Sequence, residues 1–398
     1  MTDQKYTGSK IEALCAKARA EIQGLRPYQP GKPIDELARE FGLNACDIVK
    51  LASNENPIGP SKKAIAAMEV EARELTRYPD GNGFDLKQAL SNKLSEKLAV
   101  GSVEVNPENI TLGNGSSDIL DFIVKCFVAQ NDEVVFSQHA FAIYGLVTKI
   151  QGGLCKVVPA KNYAHDLDAM AAAISDKTRL VFVKNPNNPT GTWLTQAEVA
   201  SFMAKVPSDV VVVLDEAYFE YVNEADYCNG LTLFAQYPNL VVTRTFSKAY
   251  GLASLRVGYG ISSPELADLM NRVRPPFNVN SFALAAAVAT LNDADYIAES
   301  KAVNDAGMKY LTQSFDDLGL PYIPSVGNFI SFAVPQQGSA AKLISASEVD
   351  QKLLAVGVII RPIANYEMPN HLRVSIGTQA ENETFINALT KTLVDANS

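Results

Sequence analysis

Short apolar runs recur through the middle of the chain: Ile110–Leu112, Val134–Phe136, Leu180–Val183, Val210–Leu214, Leu240–Thr243 and Val257–Ile261. Helix-length amphipathic segments, such as Ser117–Val128 and Thr195–Lys205, lie between most of them. A continuous Val-rich run suits a strand buried on both faces, and strands that alternate with helices are joined by crossovers. The pattern predicts an α/β fold with a largely parallel sheet between layers of helices.

Polar motifs follow directly on these runs: Gly113-Asn-Gly-Ser-Ser-Asp118, Asn185-Pro-Asn-Asn-Pro-Thr-Gly191, Asp215-Glu-Ala-Tyr218 and Arg244-Thr-Phe-Ser-Lys248. Open α/β sheets bind ligands outside the carboxyl ends of their strands, so the motifs predict one shared crevice. Beyond Asn292 the pattern changes. A long helical stretch through Leu311 and Asp317 gives way to Pro321–Val334, Val356–Pro362 and His371–Gly377, which reads as a smaller α+β domain. The expected division is an N-terminal arm with part of the small domain (1–62), a large ligand-binding domain (63–290) and a small C-terminal domain (291–398).

Composition narrows the function classes. With 398 residues, 47% of them hydrophobic, the chain can fill two cores. A net charge of −9 and the lack of a long basic run argue against a nucleic-acid partner and favour a small molecule. The first thirty residues contain no apolar signal core, and no run approaches the ~18 apolar residues of a membrane span, so a cytoplasmic protein is expected. The five cysteines are scattered without a CxxC pair, which predicts reduced thiols and no metal site.

Asp215 ends an aliphatic run, so a buried strand should deliver its carboxylate to the crevice, where it needs a cation or a hydrogen-bond donor. A protonated pyridine nitrogen, a magnesium ion or a structural ion pair would each serve. Lys248 follows the run Leu240–Thr243; an exposed lysine is the ordinary reading, but desolvated beside other cations it becomes a nucleophile toward an aldehyde. Arg256, in a partly apolar segment, calls for an anion such as phosphate. Ser116 and Ser117 stand where a helix begins, either as an N-cap or as part of an anion seat. The glycines there do not make a dinucleotide fingerprint, because Asp118 replaces the third one.

Taken together, NPNNPTG at 185–191, DEAY at 215–218, SK at 247–248 and LRVGYG at 255–260 resemble the fold-type I pyridoxal phosphate enzymes of the aspartate aminotransferase superfamily, over nearly the whole chain. The resemblance implies a mostly parallel seven-stranded sheet and pyridoxal 5'-phosphate as cofactor. Lys248 would be its covalent anchor and Asp215 the partner of its ring nitrogen. Asn188 and Tyr218 would bind its phenolic oxygen, Phe141 would stack on the ring, and Ser116, Ser117, Thr245, Ser247 and Arg256 would hold its phosphate. Within the superfamily, LRPYQPGKP at 25–33, LASNENP at 51–57, RYPDG at 77–81, GVIIRP at 357–362 and PNHLRVSIGT at 369–378 are similar to histidinol-phosphate aminotransferases. That similarity implies substrate contacts from Arg373, Arg361, Tyr28 and Asn54, and a homodimer in which Tyr78 reaches the neighbouring subunit's cofactor phosphate.

The implied reaction converts L-histidinol phosphate and 2-oxoglutarate to imidazole acetol phosphate and L-glutamate, a step of histidine biosynthesis. It runs in two ping-pong halves, with Lys248 also the general base. The alternatives are an aromatic amino acid aminotransferase, a decarboxylase or lyase of the same fold and, as a different class, a non-catalytic binding module. Two departures bear on the choice. Phe141 stands where the family commonly has tyrosine, and Glu367 replaces an expected glycine, which would bring a carboxylate to the pocket rim and disfavour a phosphorylated substrate.

Overall fold

Alternate residues of the Val-rich runs face opposite sides of one sheet, and both sides are buried. The computed structural model describes residues 8–27, 31–96, 104–334 and 344–397. Its strands are β1 (Val49–Lys50), β2 (Ile110–Gly113), β3 (Glu133–Ser137), β4 (Leu154–Val158), β5 (Thr178–Lys184), β6 (Val211–Asp215), β7 (Leu240–Thr245), β8 (Gly258–Ile261), β9 (Tyr322–Ile323), β10 (Phe329–Ala333), β11 (Val358–Ile359), β12 (Arg361–Pro362) and β13 (His371–Ser375). A seven-stranded sheet runs in the order β2-β8-β7-β6-β5-β3-β4. Val181, Val183, Val212, Leu214 and Val242 pack into the core on one side. Leu180, Phe182, Val211, Val213 and Val241 pack on the other. Each such side chain contributes about 1.5–3 kcal/mol on burial, which makes the register costly to shift.

The apolar runs locate every strand of this sheet but β4. Leu154 and Val157 of that edge strand are about half exposed and Lys156 lies between them, so no continuous apolar signal marks it. The strand β8 is the exception to parallel pairing, running antiparallel to both β2 and β7. Helix starts follow local chemistry. Thr195 and Glu198 close a capping box on Gln196–Met203. Gly115, at φ +75°, caps the helix Ser116–Phe127.

A four-stranded antiparallel sheet, β12-β13-β10-β9, gathers a second core in which Phe315, Phe332, Phe385, Leu372 and Val374 meet. The long helix Ala294–Asp317 and the helix Gln379–Asn397 cover it. The N-terminal segment is tied to this region, since β1 pairs parallel with β11. Among the described residues no helix is long and apolar enough to cross a membrane.

Candidate active site

Strand parity builds the floor of the site. Lys184 and Asp215 end neighbouring strands and are partners in register. Both point to the side where Phe182, Val213 and Tyr144 are buried. Asp215, 1% exposed, accepts at Oδ2 from the Lys184 ammonium at 2.7 Å and from the Tyr144 hydroxyl at 2.8 Å, and at Oδ1 from the Ala217 N–H at 3.2 Å. Burial, reinforced by Asp215, pushes the Tyr144 phenol well above its ordinary value, so it remains a donor. The next residue, Glu216, faces the opposite side and takes Arg244 in a two-pronged ion pair at 2.9 and 2.7 Å. Removing one partner from a buried pair of this kind costs about 3–5 kcal/mol, so the strand tip is clamped on both faces.

Lys248 lies in the turn after β7, donating to the Ser53 carbonyl at 3.1 Å. Burial is the largest influence on its amine and pushes it down to about 7; Arg373, Lys184 and Arg256 add to the effect and Glu55 opposes it. The amine is therefore available as a nucleophile and base near neutrality. The Tyr218 hydroxyl accepts from Asn54 Nδ2 at 2.9 Å and Asn188 Nδ2 at 3.1 Å. Burial raises its phenol to about 12, so its own proton stays available to an acceptor in the cavity.

At one end the first turn of the helix Ser116–Phe127 meets Arg256, which adopts a left-handed conformation at φ +55°. Its guanidinium donates to Ser247 Oγ at 3.2 Å and to the Asn114 carbonyl at 3.3 Å. A Cβ on Gly115 would stand 2.5 Å from Arg256 Nη2, so only glycine leaves this cradle open. Because Gly115 is the cap, Ser116 and Ser117 are the first residues inside the helix, and their N–H groups belong to its positive end. Thr245 holds the turn by accepting from the Ser247 N–H at 3.1 Å.

At the other end Arg373 and Arg361 face each other across β13 and β12. Arg373 donates to Asn188 Oδ1 and, at 2.7 Å, to the Ala52 carbonyl. Two guanidinium groups opposite one another repel, which makes this end a seat for an anion. Phe141 forms a wall, with the Lys184 ammonium 5.1 Å from its ring centroid.

One cavity of about 190 Å³ is lined by Asn54, Ser116, Ser117, Phe141, Asn188, Asp215, Tyr218, Thr245, Ser247, Lys248, Arg256, Arg361 and Arg373. Of the other residues singled out in the sequence, Tyr28 lies outside the described residues. Tyr78 is not brought here: it is 82% exposed and stacks on Phe277 at 4.7 Å. It borders a larger, open groove of about 1030 Å³ that holds none of the chemistry above. Glu367 does not line the cavity; its carboxylate accepts from Gln138. Sequence reasoning missed Lys184 and Tyr366, which also line the cavity, and Tyr144, which donates to Asp215. Lys184 carried a readable signal, since it ends an aliphatic run just as Asp215 does; Tyr144 and Tyr366 carried none.

The donor set fits pyridoxal 5'-phosphate. It combines a cationic corner at a helix start, a carboxylate floor, a flat aromatic wall and a lysine amine with a depressed proton affinity. Among the described residues no cluster of histidine, cysteine and carboxylate groups could hold a metal, and the cation that Asp215 pairs with is Lys184.

Fold and site together define a transaminase-type α/β protein, and residues 46–389 match the family model for class I and II aminotransferases; the chain belongs to that family. A histidinol-phosphate aminotransferase of Pseudomonas fluorescens is 55% identical, over 96% of this chain and 98% of its own. One from Nitrosococcus oceani is 54% identical, over 94% and 95%. The crystal structure of histidinol-phosphate aminotransferase from Sinorhizobium meliloti in complex with pyridoxal-5'-phosphate superposes with a TM-score of 0.84 at 29% identity, covering 96% of this chain and 98% of that one.

Proposed function

We propose that this protein is a pyridoxal phosphate-dependent aminotransferase that moves the amino group of L-histidinol phosphate to 2-oxoglutarate, giving imidazole acetol phosphate and L-glutamate. The observation that carries the reading is the convergence of Lys248, its amine lowered to about 7, with Asp215 and Arg373 in one cavity, in a chain 55% identical to a histidinol-phosphate aminotransferase. When bound, the cofactor supplies an aldehyde that captures the substrate amine and an electron-poor ring that takes up the electrons of the broken C–H bond.

The chain's own residues do the rest. The Lys248 amine would anchor the cofactor, and the same Nζ would be the base that takes the proton from the carbon bearing the substrate nitrogen. Asp215 holds positive charge at the ring nitrogen. Tyr218 and Asn188 hydrogen-bond the phenolic oxygen, and Phe141 covers one face. Ser116, Ser117, Thr245, Ser247 and Arg256 grip the phosphate. Arg373 and Arg361 bind the substrate's anionic end, a phosphate in one half-reaction and a carboxylate in the other. Asn54 acts at the same rim through Tyr218, and Tyr28 would be a further substrate contact.

The reading includes a homodimer in which Tyr78 completes the neighbouring site. Support comes from the exposed apolar side chains of Tyr78 and Phe84, which line the open groove, a surface suited to burial against a second copy. It also includes a cytoplasmic location and the division into an arm (1–62), a large domain (63–290) and a small domain (291–398).

Single-turnover spectra test the reaction. Histidinol phosphate should convert the bound cofactor to its amine form, and 2-oxoglutarate should reverse the change. Conversion by phenylalanine but not by histidinol phosphate would make the protein an aromatic aminotransferase. Steady consumption of the donor without any oxo acid, with the cofactor left in its aldehyde form, would point to a decarboxylase or lyase.

A further inference from the structure

In the reading above Asp215 serves the cofactor's ring nitrogen, yet in this chain the carboxylate already has a cation of its own. Lys184 Nζ lies 2.7 Å from Asp215 Oδ2, and the side chains are 3% and 1% exposed. The ammonium stands inside the cavity, 5.1 Å from the Phe141 ring centroid and 5.4 Å from that of Tyr218. It therefore borders both the carboxylate that would face the ring nitrogen and the tyrosine that would face the phenolic oxygen.

Charge counting then decides what Lys184 does. Without cofactor, the charges of the pair offset one another, and the ammonium aims the buried carboxylate along with the Tyr144 hydroxyl and the Ala217 N–H. Asp215 retains an acceptor position, since a carboxylate has about four lone-pair sites. A protonated ring nitrogen at that position would put two cations on one carboxylate. Their mutual repulsion is weakly screened where water is excluded. We infer that Lys184 is a positioning residue that holds Asp215 ready and competes with the protonated ring nitrogen for it, so that the cofactor is held less tightly than Asp215 alone would hold it. The inference rests on the proposed cofactor role of Asp215 but not on the identity of the amino donor.

The variant Lys184→Met removes the charge and keeps the stem. Its cofactor-free form should melt below the wild type, and the rise in Tm on loading with pyridoxal 5'-phosphate should be larger than the wild type's. The loaded variant should release cofactor about tenfold more slowly, the scale expected when one close like charge is removed. The same substitution in an Asp215→Asn background should leave the release rate unchanged, a coupling that a merely structural lysine would not show. Should Lys184→Met not fold, Lys184→Gln, which keeps a donor without the charge, takes its place in the same comparisons. Faster release with a smaller rise in Tm would overturn the inference, as would an equal effect in the Asp215→Asn background. Wild-type protein that binds cofactor but ignores histidinol phosphate would count against the proposed substrate and leave these measurements intact.

Discussion

The amine of Lys248 ordinarily titrates near 10.5, and here burial brings it to about 7. Below pH 7 the amine is charged in folded and unfolded chains alike, so the cofactor-free folded state bears the full cost of a desolvated cation. Between pH 7 and 10.5 the unfolded chain binds the extra proton, and stability rises with pH. Cofactor-free Lys248→Met should thus be more stable than wild type at pH 6, by on the order of 5 kcal/mol, with the advantage fading toward pH 10. Urea unfolding across that range checks it; a constant difference between the two proteins would show that the amine is not depressed.

The turn between β2 and the helix Ser116–Phe127 is where one Cβ has the most leverage. At Gly115 the backbone is left-handed and the space is taken by Arg256 Nη2. Gly115→Ala should cost roughly 1–2 kcal/mol in backbone strain, lower the Tm and speed cofactor release about tenfold by displacing the guanidinium. Dialysis followed by the visible spectrum measures the release; unchanged retention would remove Arg256 from the phosphate site. The same element shows what was legible in the sequence. A Val-rich run that ends in a charged residue announces a buried strand and a site residue together, which is why β6 with Asp215 could be read directly. Edge strand β4 hides because solvent shares its faces. The antiparallel course of β8 hides because its residues look like those of a parallel strand. Tyr144 and Tyr366 reach the site only through helix and turn packing, which no spacing along the chain records.

At the scale of the whole molecule the prediction concerns Tyr78, which does not line its own chain's cavity. If it serves the neighbouring subunit, mixing Lys248→Ala and Tyr78→Ala proteins after reversible dissociation should restore activity that neither has alone. One of the two sites in each mixed dimer then has both groups. No recovery in verified mixed dimers would place Tyr78 outside the chemistry.

The hydrogen bond from Arg373 to Asn188 has a mechanical meaning. Arg373 comes from the smaller sheet, while Asn188 sits in the loop that follows β5 of the large one and is itself tethered to Tyr218. An anion that shifts the guanidinium acts on the same amide that donates to the phenol, so the substrate's charged tail and the Tyr218 hydroxyl are linked through one side chain. Exchanging a phosphate tail for a carboxylate acts on that link as well as on the fit.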